Sequence, residues 1–202
     1  MGRAIAAHLE AEGFAVLAAG QRDGDVSRPE EARALVERAA QELGGLDLLV
    51  NAASDGFWPK SVQDVSEADW DAALDSTAKG SFFATQAAVR HLRASGRGLV
   101  VMIEDVGGYM PWPSFAPHCA AKAAQAMLTR VLARALAPEI RVCGIAPGPV
   151  AVESGQEERR AAETLLGRVG SPDDIADALV YLVGAEFVTG STIFVDGGRL
   201  LT

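Results

Sequence analysis

Residues 99–122 read LVVMIEDVGGYMPWPSFAPHCAAK, and this stretch decides the fold. Its first five residues are an unbroken apolar run, the pattern of a strand buried on both faces of a parallel sheet. A Gly- and Pro-rich loop follows, then an alanine-rich helix opening near Pro117. Three ionisable side chains in the stretch are candidate catalytic residues. Asp105 lies just past the strand, at the carboxyl end where open α/β sheets place their ligand sites. His118 and Lys122 are one helical turn apart and share a helix face.

Outward from there, helical segments alternate with apolar runs. The sequence predicts helices over 2–12, 29–43, 67–94, 117–137 and 172–183, and a charged helical segment over 153–167. It predicts strands over 14–18, 46–50, 99–103, 140–146 and 191–195. Ser27 with Glu30 has the spacing of a capping box, with Pro29 in the first helical turn. Ser66 and Ser171 open the helices that follow them. The alternation predicts an α/β fold, a doubly wound parallel sheet in a single domain over 1–202.

The chain has 202 residues, 49% of them hydrophobic and 22% charged, which is a globular composition with enough apolar mass for a core. A net charge of -9 argues against nucleic-acid or membrane-surface partners. No apolar run approaches the ~20 residues of a bilayer span, and no signal-peptide layout opens the chain. The two cysteines, Cys119 and Cys143, form no CxxC pair and no metal-ligand spacing, so they read as core thiols in a reducing compartment. No metal site is expected, and the expected location is cytoplasmic.

Several segments in this order resemble the short-chain dehydrogenase/reductase (SDR) family: GRAIAAHLEAEGF, GDVSRPE, LDLLVNAAS, Lys122, RVCGIAPG, GSPDDIADALVYLV and VTGSTIFVDGG. VNAAS, Asp105, APGPVAVE and SPDDIA are most similar to its pteridine-reductase-like branch, where Asp-Tyr-Lys replaces Ser-Tyr-Lys. The resemblance implies a Rossmann-type fold, an NAD(P)(H) cofactor, and hydride transfer to or from a carbonyl, alcohol or imine carbon. It puts Lys122 on the nicotinamide ribose, where it lowers the pKa of the catalytic acid, and has Asp105 orient substrate and proton donor. It puts Asn51 and Ala52 along the adenosine, Asp25 at the adenine, and Pro147, Gly148 and the Val150 backbone against the nicotinamide. The strand end at 18–20 lacks an acidic residue and Arg22 follows, which favours NADP(H) over NAD(H). The family also implies a homodimer or homotetramer built on the helices over 67–94 and 117–137.

The chain departs from the family pattern at four places. Met1-Gly2 align with the end of the family's TGxxxG[IM]G loop, so the first strand and the glycine loop are missing from the sequence; an internal Met taken as the start would have the same effect. The segment between 14 and Asp25 is shorter by a helix and a strand. The strand over 14–18 is therefore expected to slide into the vacant central position, bringing Gly20-Gln21-Arg22-Asp23-Gly24 to the place of the loop. Asp23 and Asp25 would repel a pyrophosphate there. His118 stands where the family has its catalytic Tyr; an imidazole of pKa ~6.5 can also move a proton near neutrality. Asp105 would hold its ring and raise its pKa, and Lys122 would oppose that rise. Tyr109 has the wrong spacing to replace the phenol. Thr77 falls on the family's active-site Asn and is either a water ligand or a packing residue.

Phe57, Trp58 and Trp112 either shape a flat substrate pocket or cover the sheet end. His8 and His91 are expected on solvated helix faces. Three functional readings follow. The first is an NAD(P)H-dependent reductase of a small carbonyl or imine (pteridine-like) substrate. The second is a non-catalytic scaffold or oligomer partner. The third is a cofactor-independent acid/base enzyme, a dehydratase or hydrolase, using Asp105, His118 and Lys122.

Overall fold

A computed structural model describes residues 2–55, 57–150, 152 and 154–202. Four parallel strands, β1 (Leu48–Asn51), β2 (Gly98–Ile103), β3 (Ile140–Pro147) and β4 (Thr192–Val195), lie side by side in chain order. Asn51 is opposite Met102, Met102 opposite Gly144, and Gly144 opposite Thr192. This register brings all four carboxyl ends to one rim of the sheet.

The helices are α1 (Gly2–Ala11), α2 (Pro29–Leu43), α3 (Glu67–Leu74), α4 (Gly80–Ser95), α5 (Ala116–Leu136), α6 (Glu157–Ala161) and α7 (Pro172–Gly184). The strand pleat sends alternate side chains to opposite faces. Val100, Met102, Ile140 and Val142 form one core with Ala88 and Leu92 of α4 and Leu132 and Leu136 of α5. Leu99, Val101, Ile103, Cys143 and Ile145 form the other with Ile5 and Leu9 of α1 and Ile175, Leu179 and Leu182 of α7. Helices cover both faces, which is why β2 is apolar throughout. The doubly wound α/β fold is the one the alternation predicts.

Ser66 and Ser171 each cap their helix in a reciprocal box, with Asp69 and Asp174 as the partners. The box expected at Ser27 does not form. Arg28 is the N-cap residue of α2, and the Ser27 N–H donates instead to Asp25 Oδ1 at 3.0 Å. Glu31 rather than Glu30 reaches back, accepting the Asp25 N–H at 2.8 Å. The first turn of α2 is thus organised around Asp25.

The strand expected over 14–18 is also absent. Gly13, at φ +88°, ends α1 in a left-handed turn, and the segment that follows belongs to no strand of the sheet. Phe14 and Val16 still pack against the core that also holds Leu48 and Val50. Their apolar side chains thus find burial without a backbone ladder, the central position is not filled, and β1 is an edge strand. The helix expected over 67–94 is interrupted by a π turn at Asp75–Lys79. The expected segment over 153–167 keeps only α6 as helix, and its first residue, Glu153, lies outside the described residues.

Neither His8 nor His91 is merely solvated. His8 Nδ1 lies 3.1 Å from Asp173 and Nε2 3.4 Å from Asp177, tying α1 to α7. His91 Nε2 lies 3.1 Å from Glu37 and links α4 to α2. Among the described residues no helix is long and apolar enough to cross a membrane.

Candidate active site

Where β2 ends come two carboxylates, Glu104 and Asp105, and both meet α5: Glu104 accepts from Thr129, and Asp105 lies near His118. Asp105 is half-buried, and its Oδ1 accepts the Gly107 N–H at 2.7 Å, which fixes the carboxylate. The loop then presses onto α5. A Cβ on Gly108 would lie 2.9 Å from the Lys122 backbone, and one on Gly107 would lie 2.9 Å from the Trp112 ring. Glycine at both positions permits the approach that joins the strand end to the helix.

His118, in the first turn of α5, is 3% exposed. Its Nε2 is 3.6 Å from Asp105 Oδ2, beyond hydrogen-bond range but within ion-pair range. Neither ring nitrogen has a hydrogen-bond partner. The ring is parallel to Trp112 (centroids 6.3 Å apart) and meets Phe57 edge-on at 4.9 Å, while Phe57 stacks on Phe115 at 4.6 Å. Trp58 is 71% exposed. An unsatisfied buried polar group costs ~1–3 kcal/mol, so a ligand that supplied the missing partner would recover that cost.

Lys122, one turn on, is buried. Its Nζ donates to the Ile103 carbonyl at 2.7 Å and to Gln125 Oε1 at 3.1 Å. An ammonium has three N–H groups, so one is left for a further acceptor. Burial pushes the lysine down to about 8, with Asp105 and Glu104 acting against that shift.

Asp105, His118 and Lys122 are therefore brought together as the spacing predicts. Tyr109 is not part of this group. Its hydroxyl donates to Glu104 at 2.5 Å and lies 3.1 Å from Thr192 Oγ1. Burial and the Glu104 carboxylate push the phenol up to about 12. Glu104, 2% exposed, also accepts Thr129 Oγ1 at 2.6 Å and Thr192 Oγ1 at 3.1 Å.

The expected cofactor residues are more dispersed. Asn51 is buried at the end of β1 and donates from Nδ2 to Thr85 Oγ1 at 3.1 Å and to Met102 Sδ at 3.3 Å. Ala52 packs beside Gly2, where a Cβ would lie 3.7 Å away. Asp25 is held below its usual range by hydrogen bonds from Ser27, with Arg28 and Lys79 adding to the effect. Pro147 closes β3 opposite Val195. Gly148 is a packing requirement, since a Cβ there would lie 2.6 Å from Asp196 Cα. Val150 bridges to Gly170. Thr77 is fully buried, and its Oγ1 donates to Ser54 Oγ at 3.2 Å.

The turn over 20–24, expected at the place of the glycine loop, forms no phosphate cradle. The Gly20 N–H donates to Asp23 Oδ2 at 2.9 Å, and the Asp23 N–H to the Gly20 carbonyl at 2.8 Å. The turn closes on itself, with a carboxylate where an anion would sit. No helix starts there to point free N–H groups at a phosphate.

Both thiols, Cys119 and Cys143, are free and raised by burial. Among the described residues no three His, Cys, Asp or Glu side chains gather as metal ligands. Sequence reasoning missed Glu104, Gln125 and Ser81. The available signals were the carboxylate at the exit of an apolar strand, and a glutamine three residues after Lys122 on the same helix face.

A family model described as enoyl-(acyl carrier protein) reductase matches residues 19–199. The chain is 38% identical over 197 residues to 3beta-hydroxysteroid dehydrogenase 1 of Eggerthella lenta, covering 91% of this chain and 75% of that protein. It is 36% identical over 185 residues to human dehydrogenase/reductase SDR family member 4, covering 86% of this chain and 66% of that one. Among solved structures, a short-chain dehydrogenase/reductase of Brucella melitensis, described as a glucose/ribitol dehydrogenase, superposes with a TM-score of 0.80 at 32% identity, covering 87% of this chain and 73% of that one. The chain belongs to the short-chain dehydrogenase/reductase family, a family of oxidoreductases.

Proposed function

We propose that this chain is an NAD(P)(H)-linked oxidoreductase of a small carbonyl or secondary-alcohol substrate, with His118 as the group that moves the proton. The observation that carries the reading is His118 itself: buried, without a partner at either ring nitrogen, 3.6 Å from Asp105 and one turn before Lys122. Nε2 is the nitrogen nearer Asp105, which leaves Nδ1 for a substrate oxygen. In the reductive direction the imidazolium gives its proton to that oxygen, and the Asp105 carboxylate stabilises the charged ring before transfer. Phe57, which is 47% exposed, covers the ring, so substrate enters by displacing it.

The nicotinamide end of a cofactor fits the residues present. Lys122 has an N–H to offer a ribose hydroxyl, and the cofactor would supply the hydride. Pro147, Gly148 and Val150 are assigned to the nicotinamide side, with Asn51, Ala52 and Asp25 on the adenosine side. The absence of an acidic residue over 18–20, with Arg22 following, supports NADP(H) over NAD(H). The turn over 20–24 offers no N–H cradle for the pyrophosphate, because its Gly20 N–H is taken by Asp23. The relatives' names concern hydroxyl and carbonyl carbons, and the pteridine-like imine substrate is supported by the resemblance of VNAAS, Asp105, APGPVAVE and SPDDIA. A homodimer or homotetramer in the cytoplasm completes the reading; Trp70 on α3 and Met127 and Val131 on α5 present apolar surface for such pairing.

The test is ketone reduction by the His118→Ala and His118→Tyr variants. Alanine is expected to lower kcat/KM by about 10²- to 10⁴-fold, with tyrosine retaining more activity than alanine. Unchanged kcat/KM in His118→Ala overturns the assignment. The closed turn at Gly20 and Asp23 favours a second reading, acid/base chemistry by the same three residues without a nucleotide. Turnover of a hydroxyacyl or ester substrate with no nucleotide present would select it.

A further inference from the structure

Lys122 is held by a chain of hydrogen bonds whose direction chemistry dictates. Ser81 Oγ donates to the Thr77 carbonyl at 2.6 Å. A carbonyl can only accept, so the single hydroxyl proton of Ser81 is committed there and its lone pairs remain. One of them accepts Gln125 Nε2 at 2.8 Å. The amide therefore turns its oxygen to the other side, where Oε1 accepts Lys122 Nζ at 3.1 Å. Gln125 is 0% exposed and Ser81 4%, so no solvent competes for these groups. The chain starts at the π turn of Asp75–Lys79, which contains Thr77. It also reaches β1, because Thr85 Oγ1 donates to the Ser81 carbonyl at 2.7 Å and accepts from Asn51.

We propose that Gln125 is a positioning residue for Lys122: oriented by Ser81 and the Thr77 carbonyl, its amide oxygen fixes where the amine sits and which N–H remains free for a ligand. The role rests on the proposed reaction only in so far as Lys122 takes part in it. The neutrality of the acceptor matters as much as its place. The charged groups acting on Lys122 are Asp105 and Glu104 from the end of β2, and His118 of α5 lies 3.6 Å from that Asp105. None of them hydrogen-bonds the amine. A carboxylate in place of the amide would be the first anion in direct contact, and it would hold the lysine charged to higher pH.

The experiment follows the Lys122 Cε NMR signal through a pH titration in the wild type and in Gln125→Glu, Gln125→Met and Ser81→Ala, with kcat/KM for ketone reduction measured in parallel. Gln125→Glu is expected to move the Lys122 titration up by a unit or more, since one unit is 1.36 kcal/mol of differential interaction. The alkaline limb of its pH-rate profile is expected to move with it. Gln125→Met is expected to lower kcat/KM about tenfold or more with the ketone KM unchanged. Ser81→Ala frees the amide to rotate and is expected to cause a smaller loss that does not add to that of Gln125→Met. If Gln125→Met fails to fold, Ser81→Ala and Gln125→Glu carry the test. A Lys122 titration identical in the wild type and Gln125→Glu overturns the proposal. A shifted titration in a protein inert toward every ketone would defeat the proposed reaction and leave the positioning role standing.

Discussion

Lys122 shows how burial of one side chain reaches a bulk property. The residue is 4% exposed, and burial pushes its amine down to about 8 from an unfolded value near 10.4, with Asp105 and Glu104 opposing the shift. The folded chain therefore releases this proton at lower pH than the unfolded chain does. Between about pH 8 and 10 the unfolded state binds more protons, and stability rises with pH in that window. Relative to Lys122→Met, the wild type is expected to gain up to roughly 3 kcal/mol across it. Urea unfolding of both proteins at pH 7.5 and 10 checks this, and parallel pH profiles would contradict it. At this scale the nearness of Asp105 to His118 and Lys122 was legible, because helical spacing aligns two of them and the strand end places the third. Glu104 and Gln125 were not legible. What makes a buried carboxylate or amide tolerable is partners elsewhere in the chain, and Thr192 is 88 positions from Glu104. No local pattern encodes that distance.

Among the elements, β3 and the exit of β2 are fitted to each other around Glu104. A Cβ on Gly144 would lie 2.1 Å from Glu104 Oε1 and 2.8 Å from Thr192 Oγ1. The carboxylate cannot swing aside without abandoning Tyr109, Thr129 and Thr192. Gly144→Ala is therefore expected to destabilise the fold by about 1–3 kcal/mol. Adding Glu104→Ala should make the pair less destabilised than the sum of the two single changes. Thermal unfolding of the three variants decides it, and strict additivity would show that the two sites are independent. Helices with serine caps were legible because Ser, Pro and Asp carry their own geometry. The segment over 14–18 forms no strand, because a short apolar run reports burial and says nothing of what pairs with the backbone. The π turn in the helix over 67–94 was invisible for a similar reason. Its register is set by packing around Thr77 and Gly80, where a Cβ would lie 3.0 Å from the Val26 carbonyl.

For the molecule as a whole, four parallel strands under helices on both faces carry the family's architecture, and the family was legible from short segments whose order, more than their individual content, is specific. The legible half of the candidate site is the half built on that sheet: the ends of β2 and β3 and the first turns of α5. The phosphate-binding half was not legible. The turn over 20–24 spends its Gly20 N–H on Asp23, in line with the carboxylates there being unsuited to a pyrophosphate. The most direct test of the account is calorimetric titration with NADPH and NADH of the wild type and Lys122→Met. The account predicts binding of NADPH by the wild type, preferred over NADH, and weakened about tenfold or more in Lys122→Met, the loss of 1.4 kcal/mol or more. No heat of binding up to millimolar nucleotide, or equal binding by Lys122→Met, would contradict it.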